Sequence, residues 1–541
     1  MKKSVWIWLP IIAALLIGTA VFAKSPAKNG GAAEAVLNYN LALEPANLDP
    51  AKSTSIEEFR VEYACFEGLA TFGAGDALQP GVAEKWQISP DGKTYTFYLR
   101  KNAKWSNGDP VTAQDFEYAW KRLLNPGTGS PNASTLFYLK NAEDYNSGKI
   151  KDADQIGVNA KDNYTLVVTL NAPCSYFLGL TINPALYPVH RKTVEASPDK
   201  WAGNPETYVG NGPFKMTDWT RHNKLEFAPN PNYWDKSRVK LKKLVFYPIE
   251  EQSTALTMFD TGQIDLSDEL PRPEIPRLAA AGMVKYSATI NTYYYMLNTK
   301  KPPLNDPRVR KALALAINRE QIVKYITKAG EKPALGFVPY GIPDSSPKAE
   351  FRKVGGACFT DNAVAQAKKL LAEAGYSDIK KFPTLEILYN TNETHKQIAE
   401  VIQQMWHEKL GVNTTLVNQE SKVFLQSRRE GNFQIARSSW IGDYVDPMTF
   451  LDLWATGNGN NYTGWTNPQY DKWIDTAKTT LNGKVRYQAM HEAEKLLMSQ
   501  MPVIPIYFYT RPYIIKPWVK GVRYSAVGLI DFSRVIIGAH K

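Results

Sequence analysis

A chain of 541 residues, 44% hydrophobic and 22% charged, is too long for one hydrophobic core and calls for two or three packed domains or lobes. Its formal charge of +11 is dispersed, the densest groups being KLKK at 240–243 and RVRK at 308–311, which read as solvated faces rather than as nucleic-acid patches. Cys65, Cys174 and Cys358 are the only cysteines, so a disulfide scaffold is excluded and at most one bridge can form.

Lys2, Lys3, an apolar run from 5 to 22 and the ending Val21-Phe22-Ala23 predict a secretory signal peptide over 1–23, cut after Ala23. A membrane anchor is the competing reading, since the run is almost long enough to span a bilayer. The cleavage pattern and the lack of a second such run favour export. No cysteine follows, which points to a freely soluble protein without a lipid anchor, and KSPAKNGGAA at 24–33 reads as a flexible leader.

Strand formers dominate the first half, at 94–99, 165–170 and 244–247, with helices predicted over 113–124 and 251–262. Tyr293, Tyr294 and Tyr295 alternate on a strand, so Tyr293 and Tyr295 share one side; either face can line a cleft, and a core role for at least one competes with that. Helical spacing runs over 307–317, over 363–374 before Gly375, and over 395–410 before Gly411. Strands follow the last two helices, at 385–389 and 412–417, an alternation that predicts α/β layers. The tract 457–461 reads as a surface loop.

The segment RSSWIGDYVDPMTFLD at 437–452 is the most informative. Arg437 to Trp440 reads as strand, Gly442 and Asp443 break it, and Asp446-Pro447 predicts a turn into a helix from Met448. A carboxylate at a strand end beside an indole suits a ligand cation. Two readings of Asp443 stand side by side: a ligand anchor, or a residue that caps the next helix or pairs with an arginine.

Several blocks then carry a resemblance: GVAEKW at 81–86, DGKTYTF at 91–97, AKWSNG at 103–108 with VTAQD at 111–115, VGNGP at 209–213, NPNYW at 230–234, and LNDPR at 304–308 with ALALAINR at 312–319. In order and coverage the chain resembles the oligopeptide-binding proteins, the extracytoplasmic receptors of peptide ABC importers. The resemblance implies an α/β, two-lobed periplasmic-binding-protein fold (type II) with an additional inserted domain. The implied units are a first lobe from 24–66, 191–290 and 510–541, an inserted domain over 67–190, and a further lobe over 291–509. It implies Asp443 for the α-ammonium of a short peptide, backbone groups of Ser439, Trp440 and Ile441 on one side and of Thr54 to Ile56 on the other, and Arg437 and His395 as cations for the C-terminus. Arg428 is implied as a further cleft cation, while a surface role at a helix start competes for His395. The pattern departs at Ser421, where relatives carry tryptophan, at Ile441 and Asn291, where they carry a cleft disulfide, and at Thr327, where they carry lysine. A membrane permease is the implied partner, with no cofactor or metal, no nucleic acid, a monomer, and a periplasmic location.

The main alternative from another class is an exported hydrolase, but no Gly-x-Ser-x-Gly elbow, His-Glu-x-x-His helix or cysteine–histidine pair is present. A secreted peptide-binding chaperone, or a same-fold receptor for a dipeptide, nickel chelate, haem or opine, remains as a further reading.

Overall fold

The computed structural model describes residues 35–346 and 348–539, excluding the side chains of Ser421 and Lys422; the expected signal peptide lies outside the described residues. Two large mixed sheets and one four-stranded antiparallel sheet organise the chain. The seven-stranded sheet has the order Val284–Ser287, Arg511–Ile515, Leu266–Ser267, Val36–Asn40, Lys243–Tyr247, Lys224–Pro229 and Phe214–Thr220. It therefore assembles strands from both ends and the middle of the sequence. The six-stranded sheet has the order Lys332–Pro333, Val503–Phe508, Asn291–Leu297, Ile435–Ile441, Leu385–Asn390 and Thr414–Gln419.

Local chemistry explains the best-defined elements. The helix Ala113–Leu124 begins at a Thr112–Asp115 capping box and buries Phe116, Trp120, Leu123 and Leu124 at helical spacing. It covers the sheet made of Ala83–Ile88, Thr94–Leu99, Thr165–Thr169 and Val158–Asp162. The helix Glu393–Leu410 links two parallel strands, Leu385–Asn390 and Thr414–Gln419, as a parallel pair requires. It starts before the predicted residue 395 because the Asn392 side chain accepts the His395 N–H at 3.1 Å, and it stops at Gly411, whose φ is 74°.

Some boundaries shift. The predicted helix over 363–374 is α-helical only at Val364–Leu371 and then widens into a π turn, Ala372–Tyr376, with Gly375 at φ 97°. The helix from Met448 is a single turn, Met448–Leu451, that tightens into Asp452–Trp454.

The chain passes between the two large sheets twice, after Ser287 and after Phe508. These crossings lie side by side, because the Tyr509 N–H donates to the Asn291 carbonyl at 3.0 Å. The three cysteines are free: Cys65 and Cys174 are buried and Cys358 is half-buried. Burial raises each thiol, Cys174 to about 12 and Cys358 to about 11.

Candidate functional site

The strand Ile435–Ile441 is paired along its whole length with Asn291–Leu297, from Ile435 opposite Leu297 to Ile441 opposite Asn291. On its other side it meets Leu385–Asn390 only at Ile435 and Ala436. From Arg437 onward that second edge is unpaired, which leaves main-chain groups open to an extended ligand. Gly442 then packs so closely on Ile290 that a Cβ would stand 2.6 Å from its Cδ1, and its N–H donates to the Ile290 carbonyl at 2.9 Å. That turn delivers Asp443.

Of the two readings of Asp443, the structure gives the structural tasks to its neighbour. Asp446 accepts the Met448 N–H at 2.9 Å, starting the short helix, and pairs with Arg486 through two bonds of 2.8 and 2.9 Å. The Asp443 backbone is held by Thr449 Oγ1 at 3.0 Å, while its carboxylate has no hydrogen bond or cation among the described residues. It is exposed to water inside a cavity, and the protein walls around it push its carboxyl up to about 6. It is a carboxylate to which the described residues bring no cation.

That cavity measures about 680 Å³ and is lined by Thr54, Ile56, Ile441, Asp443 and Tyr509. Thr54 and Ser55 donate their N–H groups to Glu58 at 2.7 and 3.0 Å. Thr54 and Ile56, at the head of the helix Ile56–Cys65, thus reach the cavity from a start that Glu58 holds in place.

The expected cations lie beside the cavity and not on its wall. Arg437 is enclosed: its guanidinium sits 4.9 Å over the Tyr293 ring and makes three long contacts of 3.4 Å, to Asn390, Ser439 and the Tyr509 hydroxyl. Its Nε makes no hydrogen bond. Tyr293 and Tyr295 are fully buried beside it, so these two tyrosines support the site from the core and do not line the cavity. Tyr293 OH meets His395 Nδ1 at 3.4 Å. The charge expected of His395 is corrected: burial, Arg437 and Arg272 push its imidazole down to about 3, so it is neutral in the free protein. Arg428, the further expected cation, is bonded to Ser438 Oγ at 3.1 Å and is likewise off the cavity wall. Trp440 has a buried, unpartnered Nε1. Ile441 is opposite Asn291, so the position of the absent cleft disulfide is filled by a non-bonding pair.

Features invisible in the sequence complete the wall. Tyr444 stacks on Tyr176 with ring centres 4.6 Å apart and planes 3° apart, joining the Asp443 loop to a segment more than two hundred residues earlier. Arg272 donates to the buried Glu331 at 3.1 Å, which also takes Thr327 Oγ1 at 2.9 Å. Arg511, in Thr510-Arg511-Pro512, is a further cavity guanidinium that the sequence reading missed; a lone cation among strand formers is its one mark in the sequence.

Binding of an unmodified peptide to such a site should weaken as pH falls through about 6, by up to about tenfold per unit, since a protonated Asp443 cannot pair with an ammonium. The sign follows from the raised carboxyl: the charged form dominates above about 6 and is lost below it, whereas His395 does not titrate in this window. Calorimetry across that range checks this, and a flat profile would remove Asp443 from the role.

Residues 77–462 match the family model "Bacterial extracellular solute-binding proteins, family 5 Middle". The dipeptide-binding protein DppE of Bacillus subtilis is 41% identical over 94% of this chain and 92% of its own. The periplasmic murein peptide-binding protein MppA of Escherichia coli is 38% identical over 99% of both. The solved Haemophilus influenzae OppA, in complex with RPPGFSPFR, superposes with a TM-score of 0.75 at 36% identity, covering 93% of this chain and 99% of that one. Sheets, crossings and cleft thus follow the type II periplasmic-binding-protein fold, and the chain belongs to the family 5 extracellular solute-binding proteins.

Proposed function

We propose that the protein is an extracytoplasmic receptor that captures short peptides between two lobes, through their termini and backbone, and delivers them to a membrane ABC importer. One observation carries this: an unpartnered carboxylate, Asp443, opens into the same cavity as the end of an unpaired strand edge at 437–441. An ammonium meets Asp443, backbone pairing runs along Ser439 to Ile441 and Thr54 to Ile56, and Arg437 receives the C-terminal carboxylate. The neutral His395 serves as a donor for longer ligands, or takes up a proton with them. Relatives named for dipeptides, murein peptides and a bound nonapeptide support a peptide ligand.

The units are a first lobe over 24–66, 191–290 and 510–541, an inserted domain over 67–190 and a lobe over 291–509, closing about the paired crossings. The protein acts as a non-catalytic monomer, exported by the segment 1–23, without lipid; no helix among the described residues is long and apolar enough to cross a membrane. The test is calorimetry on protein unfolded and refolded to strip carried ligand. Free di- to pentapeptides should bind and be recovered intact, with a smaller radius of gyration in solution scattering when bound. Absence of binding across the series, or hydrolysis of the peptides, would sink the proposal.

A further inference from the structure

Besides Asp443, the cavity wall carries a guanidinium, Arg511, to which the proposed reading of the two peptide termini gives no task. Arg511 lines the same cavity as Thr54, Ile56 and Asp443. It opens the strand Arg511–Ile515, which lies between Val284–Ser287 and Leu266–Ser267, so its backbone is fixed by sheet pairing. The side chain makes one hydrogen bond inside the protein, from Nη1 to the Ser525 carbonyl at 3.3 Å. Nε and Nη2 have no acceptor among the described residues, and no carboxylate comes within ion-pair distance.

The acidic groups whose charge reaches Arg511 are occupied. Asp268 is held by Arg60 Nη2 at 2.6 Å and by the Tyr39 hydroxyl at 2.9 Å. Asp76, on the same wall, sets both carboxylate oxygens on the Ala526 N–H, at 3.0 and 3.1 Å, and feels the Arg511 charge only from beyond ion-pair distance. Arg60 also donates from Nε to the Gly528 carbonyl at 3.2 Å and from Nη1 to the Tyr39 hydroxyl, so its charge is held by Asp268 and its neighbours. Arg511 thus differs from Arg60 and from Arg272, each of which has its own carboxylate. An enclosed guanidinium without an anion has given up hydration for no ion pair, and burial together with the nearby Arg60 lowers its pKa accordingly. The proposed function gives the C-terminal carboxylate to Arg437, which stands on the other large sheet behind the cavity wall, its Nη2 3.4 Å from the Tyr509 hydroxyl, with Thr510 between Tyr509 and Arg511 in the chain.

We infer that Arg511 receives a second ligand carboxylate, so that the preferred ligands are peptides bearing an acidic side chain. Its free Nε and Nη2 form the planar edge that accepts a carboxylate through two parallel bonds. Asp443 at one point and two separate guanidiniums at others then match a ligand with one ammonium and two carboxylates. This inference rests on the peptide reading of the cavity.

The test uses the full chain, refolded from denaturant, and tripeptides of alanine carrying Glu at the first, second or third position, each with its Gln counterpart. At one position Glu should bind about 10- to 100-fold more tightly than Gln, the span of a charge-assisted bond to a buried partner. In Arg511→Gln that ratio should fall to near one while the Gln peptides bind within a few-fold of the parent. Arg511→Lys, which keeps the charge and loses the fork, should leave an intermediate ratio. Equal binding of Glu and Gln peptides at all three positions on the parent protein would overturn the inference alone, as would a preference that survives Arg511→Gln. Failure of every tripeptide to bind would overturn the peptide reading with it.

Discussion

Asp443→Asn should weaken an unmodified tripeptide by about 30- to several-thousand-fold, equivalent to roughly 2–5 kcal/mol, the cost of removing one partner of a buried hydrogen-bonded charge pair. The substitution keeps the shape of the side chain. It also leaves untouched the backbone bond from Asp443 N–H to Thr449, so the loop has no reason to move. The carboxylate has no partner among the described residues to release, hence the loss in affinity reports the ligand contact and not a collapsed neighbourhood. N-acetylated peptides should show a similar loss on the parent protein and little further loss on the variant, because the two changes remove the same interaction. Titration calorimetry on all four combinations measures this. Independent, additive losses would mean that the ammonium sits elsewhere.

Arg486→Ala should destabilise the fold by about 3–5 kcal/mol, since it strands a buried carboxylate. Arg486 and Asp446 side chains are 4% and 11% exposed and meet through two short bonds, and Arg486 Nε also donates to the Ala477 carbonyl at 3.2 Å. Its guanidinium lies 5.6 Å from the Tyr176 ring, so the same cation braces the Tyr176–Tyr444 stack. Replacing both partners, Arg486→Met with Asp446→Leu, should recover much of the loss because no charge is then left unpaired. Urea unfolding followed by circular dichroism distinguishes the cases. A midpoint unchanged in the single variant would mean that water reaches Asp446 and solvates it.

The elements legible in the sequence are those whose causes are local. The helix Ala113–Leu124 has its capping box and its apolar face within one window, and its observed bounds equal the predicted ones. The strand Thr94–Leu99 alternates polar and buried residues as its sequence does. Gly411 ended its helix as expected, whereas Gly375 did not end one cleanly, because the last turn before it loosened into π geometry, which no residue type announces. The strand Ile435–Ile441 and the break after it that places Asp443 were legible because both lie within a few residues. Arg60 with Asp268, Tyr176 with Tyr444 and Arg272 with Glu331 were not, since each pair is assembled from distant stretches by sheet topology. The lowered pKa of His395 was hidden for a related reason: it comes first from burial and then from two cations, of which Arg272 belongs to a remote part of the chain.

Free cysteines with raised thiol pKa values bear on how this protein can be handled and how it survives oxidants. A thiol reacts as its thiolate, and at neutral pH Cys65, Cys174 and Cys358 hold almost none. Folding therefore needs no oxidase or isomerase to pair them, and glutathione or peroxide finds little to attack. A cysteine introduced at an exposed site on either side of the cleft would be the one that a maleimide dye labels, so distances across the opening can be followed without first removing the native thiols.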